Sequence, residues 1–289
     1  MSEEPPLAHG GSGWRRALQV ARAAGLEALH RSRRADLALI SAGLTFYAAL
    51  TLVPLALWAF YGAGVLLGPD RVIAIADDLS RFLEGPLGID ELVEELARMG
   101  PGLGLSSLAA SLLAALTYGE GLLRAISTYH DAAPRSGSAW RGRAMVVPYV
   151  LVYPGLAAVA LLAVDGVDRL VGEGAGAWVL GTYLTFLVGW ALLTLQLAFL
   201  YRVFAPGSPS SRALAWGAGA TASFLAGMSL GWVPVLRLGV GVGRAFGGSE
   251  AVGRLVLIGI YLLAFQVVLL TGHHLVSALD ARRSRTAGP

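Results

Sequence analysis

The sequence contains no cysteine and no lysine; all 22 of its basic residues are arginine. Without cysteine there is no disulfide, no thiolate metal site and no cysteine nucleophile. Without lysine there is no phosphate-binding loop of the G-x-x-x-x-G-K-[ST] kind, and direct ATP hydrolysis by this chain is not expected. Charge is scarce too: 14% of the 289 residues are charged and 55% are hydrophobic, against about 25% charged in a soluble domain. The formal net charge of +3 is small, and its arginines flank apolar runs instead of forming a nucleic-acid surface. No G-x-S-x-G elbow and no H-E-x-x-H zinc motif is present. His273 and His274 are adjacent, which points their rings about 100° apart on a helix and disfavours chelation. No metal, cofactor, catalytic residue or nucleic-acid partner is expected, and enzymatic activity is not expected.

What the chain does have is long apolar runs. Six are near the length of a spanning helix: about 37–67, 103–119, 144–164, 177–200, 213–235 and 255–275. They are continuous and not alternating, which excludes a β-barrel reading. The expected fold is all-α, a polytopic membrane bundle of about six transmembrane helices over residues 35–280. A basic segment, 1–34, precedes it and a basic tail, 281–289, follows. Ser32-Arg33-Arg34 is similar to a twin-arginine signal, but the run behind it is too long and five more come after. The second helix is expected to continue past its apolar part to about Tyr129. Pro54 lies inside the first run, where it frees a carbonyl and favours a kink.

The arginines orient the bundle. Six lie in the N-terminal tail, four in the second connection, two in the fourth and three in the C-terminal tail, fifteen in all; the other side holds seven. The richer side is expected to be cytoplasmic, with both termini inside and anionic lipid as its partner. Two further segments are read as amphipathic. Residues 14–29 set Trp14, Leu18, Ala21 and Leu29 on one face, suited to a membrane interface. Residues 70–100, the longest polar connection, read as two short helices on the extracytoplasmic side, broken at Gly85-Pro86 and ended by Gly100-Pro101-Gly102.

Polar groups within the runs are the candidates for function. Ser41 and Thr45 share one face of the first run, and Tyr47 and Thr51 another. Gln196 and Gln266 lie deep in the fourth and sixth, where an amide needs a partner and so faces the bundle interior. With Pro54, these seven residues are the candidate substrate path; interhelical hydrogen bonding is the plainer reading of the glutamines. Glu120 and Arg124 are four apart and can pair. Ala215, Gly219, Ser223, Gly227 and Gly231 recur every four residues, an expected helix-packing face. The composition allows a homo-oligomer and does not require one.

Four stretches together resemble the YihY/BrkB family, once named ribonuclease BN: Ala42-Gly43-Leu44-Thr45-Phe46-Tyr47-Ala48-Ala49-Leu50-Thr51-Leu52-Val53-Pro54, Gly121–Tyr129, Leu200-Tyr201-Arg202-Val203-Phe204-Ala205-Pro206 and Ile260–Leu279. Val53 stands where the family has an aromatic residue, Glu120 where a basic or small one is usual, and Thr128-Tyr129-His130 replaces an Asn-containing run. The resemblance implies a bacterial inner-membrane protein of six spans with cytoplasmic termini. It transfers no substrate and no site residue, and nothing in the sequence would make a nuclease. The leading expectation is a transporter or exporter of a small or lipidic solute without its own ATPase. The alternative is a non-transporting scaffold for envelope or lipid partners, which predicts a closed interior. An intramembrane enzyme would need Glu120, Asp165 and His130 to converge.

Overall fold

The computed structural model describes residues 37–83, 88–129, 138–170, 175–205, 208–237 and 242–286. Six long helices form the body: α1 Leu37–Leu67, α4 Leu105–Tyr129, α5 Ser138–Leu170, α6 Ala175–Phe204, α7 Ser211–Arg237 and α8 Glu250–Thr286. Two short ones, α2 Pro69–Leu83 and α3 Ile89–Met99, fill the connection between α1 and α4. No strand occurs among the described residues. The amphipathic segment expected at 14–29 and the Gly85-Pro86 break lie outside the described residues.

Apolar composition drives the long helices. In lipid the backbone must satisfy its own hydrogen bonds, so an apolar run becomes helix whatever its propensities. This is how α1 runs unbroken through Pro54, and α5 through Pro148 and Pro154. The helices outrun the apolar segments at most ends. α8 is 37 residues long and continues past its apolar part because Asp280 accepts a hydrogen bond from the Ser210 backbone N–H at 2.9 Å, tying the extension to the start of α7.

Five of the six long helices are long and apolar enough to cross a membrane; α4 is not among them. Its 25 residues give about 38 Å of helix, ample length, but Ser106, Ser107, Ser111, Thr117, Glu120 and Arg124 lower its hydropathy. α4 tolerates them by packing between α1 and α5. Around this trio, α6, α7 and α8 complete the bundle, with α8 returning to α1. The main core collects Leu44, Leu122, Val146, Val150, Leu197, Tyr201, Leu225 and Leu270.

The amphipathic connection folds as expected. Gly68, at φ 91°, donates to the Gly64 carbonyl at 3.0 Å and turns the chain sharply from α1 into α2; only glycine takes that conformation without strain. Val72 and Ile75 then pack on Ala63 of α1 and on Ala158 and Leu161 of α5. Leu96 and Ala97 bury the matching face of α3. Ser80 of α2 donates to Glu94 of α3 at 2.8 Å, and Arg71 reaches Asp165 of α5 at 3.5 Å. The two short helices are thus seated on one end of the bundle.

Candidate functional site: a polar-lined recess inside the bundle

A recess of about 300 Å³ lies between α1, α4, α5, α6 and α8, at the lower end of the range for ligand pockets. Three candidates meet there: Thr51 from α1, Gln196 from α6 and Gln266 from α8. Each glutamine is held from a different helix. Tyr118 of α4 donates its hydroxyl to Gln266 Oε1 at 2.9 Å. Tyr149 of α5 donates to Gln196 Oε1 at 2.9 Å. These bonds cross α4 to α8 and α5 to α6, so they also join the bundle. Tyr153 and Tyr261 line the recess as well, and Tyr261 shares a 2.8 Å hydrogen bond with Ser229 of α7. The remaining wall is aliphatic or aromatic, from Leu52, Leu55, Val146, Leu193, Leu262 and Phe265.

The other path candidates sit elsewhere. Ser41 is fully buried ten residues before Thr51, about 15 Å along the helix; its hydroxyl has no hydrogen-bond partner among the described residues. Thr45 turns its hydroxyl back to the Ser41 carbonyl at 2.8 Å. Thr51 does the same to the Tyr47 carbonyl, so its hydroxyl proton is already engaged. The Tyr47 ring covers Gly121 of α4, where a Cβ would lie 2.5 Å from it. Pro54 is half-buried in α1 and does not line the recess. Proximity in sequence misleads here because one helix presents residues to three different neighbours.

Within the chain, the expected packing face of α7 is largely uncovered. Ala215, Ser223, Gly227 and Gly231 are exposed, and Gly219 is half-covered by Trp190, whose indole donates to its carbonyl at 2.9 Å. α7 packs within the chain through the neighbouring face: Ala218, Ala222 and Leu225 are fully buried there. Gly217 on that face adjoins Val276 of α8, and Gly272 of α8 adjoins Thr221 and the Tyr201 hydroxyl so closely that neither glycine leaves room for a Cβ. Both faces of α7 carry small residues, so spacing alone did not choose between them.

Charge is kept out of the recess. Glu120 is buried where α4 meets α5, 2.7 Å from Arg124 and in a two-pronged contact with Arg143 at 2.8 and 3.1 Å. Both Arg143 nitrogens donate to Oε2 while Arg124 takes Oε1, so each carboxylate oxygen accepts charge-assisted hydrogen bonds. The helices meet at Gly119 and Gly142, whose added Cβ atoms would lie 2.4 and 2.6 Å from the opposing glycine carbonyl. Arg143 also stacks on Trp140 at 5.3 Å. Asp165 is 22 residues beyond Arg143 on α5, about 33 Å away, and His130 lies outside the described residues. The structure therefore does not bring Glu120 and Asp165 together.

Residues 28–289 match the sequence model of Virulence factor BrkB. The chain belongs to that family. Comparison with curated proteins finds no match, and comparison with solved structures finds none. Membership of the BrkB family, together with five helices fit to cross a membrane, makes the chain an integral membrane protein. In this BrkB-family chain three of the four stretches that carried the resemblance border the recess: the first supplies Thr51, the third supplies Leu200, and the last supplies Tyr261 and Gln266.

Proposed function

We propose that this BrkB-family protein moves a small or lipidic solute through the membrane, using the recess as its binding station. The observation that carries the reading is the convergence of Gln196 and Gln266, from helices far apart in sequence, on one open cavity within the apolar part of the bundle. A scaffold would have no use for that opening, and closing it with apolar side chains would stabilise the bundle. No ATPase motif occurs in the sequence, so the driving force is a solute gradient or a partner. The arginine-rich face carrying the start of α1 and the end of α8 is read as cytoplasmic in a bacterial inner membrane, in contact with anionic lipid. The chain is read as a non-enzyme.

The test is flux of labelled solutes and lipids in proteoliposomes carrying the full chain. Gln266→Leu removes one polar wall and should abolish flux. Tyr47→Phe changes a residue outside the recess and should leave it intact. Equal loss in both variants, or flux independent of protein, sinks the transport reading.

A further inference from the structure

The two glutamines are not symmetric donors and acceptors, and that asymmetry names a ligand. Each carboxamide oxygen is occupied by a tyrosine hydroxyl. Neither amide nitrogen hydrogen-bonds a described residue, and both glutamines line the recess. Tyr153 likewise has no hydrogen-bond partner among the described residues and lines the same space. A carboxamide NH2 carries two donors and no acceptor. The recess therefore offers two amide nitrogens and a phenol as open donors, within walls that are otherwise aliphatic and aromatic. No Asp, Glu, His or Arg is among its described lining residues. A charged group entering such a space would lose its hydration without gaining a counter-ion.

Resting on the reading of the recess as a binding station, we infer that it takes an uncharged, mainly apolar group bearing a carbonyl-type acceptor, such as an acyl ester or amide. The carbonyl oxygen accepts from Gln196 and Gln266, and the hydrocarbon lies against Leu193, Leu262 and Phe265. The same chemistry comes from two sources: the acyl ester of a membrane lipid, with its headgroup left outside, or a free uncharged ester.

The experiment is photo-crosslinking to the full chain in phosphatidylcholine nanodiscs, with labelled peptides read by mass spectrometry. Three diazirine probes of equal chain length are compared: a fatty-acid methyl ester, the alkane and the free carboxylate. The ester is expected to label the recess about fivefold more efficiently than the alkane, the return on one net hydrogen bond. Gln196→Met and Gln266→Met should each reduce that ester advantage while leaving alkane labelling, which reports a folded recess. A diazirine-bearing phosphatidylcholine that labels as well as the ester assigns the group to membrane lipid; labelling by the free ester alone assigns it to a solute. Alkane or carboxylate labelling equal to the ester overturns the inference, as does an ester advantage that survives both substitutions. The comparison of probes on the unsubstituted chain requires no variant to fold. Ester-selective labelling without flux would sink the transport reading alone, and flux without ester selectivity would sink this inference alone.

Discussion

Tyr118 and Glu120 are two residues apart on α4, yet they answer burial with opposite chemistry. Tyr118 turns toward α8 and meets a neutral amide. Glu120 turns toward α5 and meets two guanidinium groups. The neutral pair borders an open recess, whereas the charged cluster sits where the glycines of α4 and α5 touch and the arginines keep access to the surface, Arg124 at 53% side-chain exposure. A buried carboxylate survives only with its charge matched. An amide pair needs one good hydrogen bond and leaves the second half of the amide available. Structure is therefore secured by charge at the rim, and the interior is left polar but uncharged.

That contrast breaks most visibly at the rim. Gly142→Val places a branched side chain against the Gly119 carbonyl and the Glu120 backbone, 2.6 and 2.8 Å from its Cβ. Both are backbone atoms that cannot turn aside, so the helices must part. A loss of about 3 kcal/mol is expected, visible as collapse of the monodisperse peak on size exclusion in detergent. Glu120→Ala leaves Arg124 and Arg143 facing each other. Removing one partner of a fully buried pair costs about 3–5 kcal/mol, and the exposure of both arginines reduces this to about 2 kcal/mol. Thermal unfolding reads it, and stability unchanged from wild type would show that the cluster contributes nothing.

The interior should respond more mildly. Gln266→Leu deletes the bond from Tyr118 and should cost about 0.6–1 kcal/mol, the scale of interhelical hydrogen bonds in membranes. Its effect on flux should exceed its effect on unfolding, and the reverse order would make the amide structural only. The smallest effect belongs to the seated pair α2–α3. Ser80's hydrogen bond holds the Glu94 carboxyl below its ordinary value of 4.5, with Arg98 adding to it against partial desolvation. A depressed folded value stabilises above the unfolded one and is lost as pH falls through it. Hydrogen exchange in α3, corrected for intrinsic rates, should therefore show loosening below about pH 4.5, and Ser80→Ala should flatten that dependence.

The helices were legible because apolar length is a local property: all six runs became helices, and Val72, Ile75 and Leu96 announced the faces of α2 and α3. Within the site, Gln196 and Gln266 were legible because an amide deep in an apolar run has nowhere else to go. Their partners were not. Tyr118, Tyr149, Tyr153 and Tyr261 read as part of the apolar background, and nothing in the spacing of α4 and α8 pairs Tyr118 with Gln266, 148 residues away. Arg143 was hidden from Glu120 for the same reason. On α7, Ala, Gly and Ser occupy both faces, so the period was visible while the direction it faced was not.

The openness of the recess has a practical consequence for handling the protein. Detergent tails are apolar chains, and many common detergents carry an ether or ester oxygen at the head of the tail. On the proposed reading of the recess, such molecules compete for it with whatever is added later. Weak apparent affinity in micelles would measure that competition, and exchange into lipid should sharpen it.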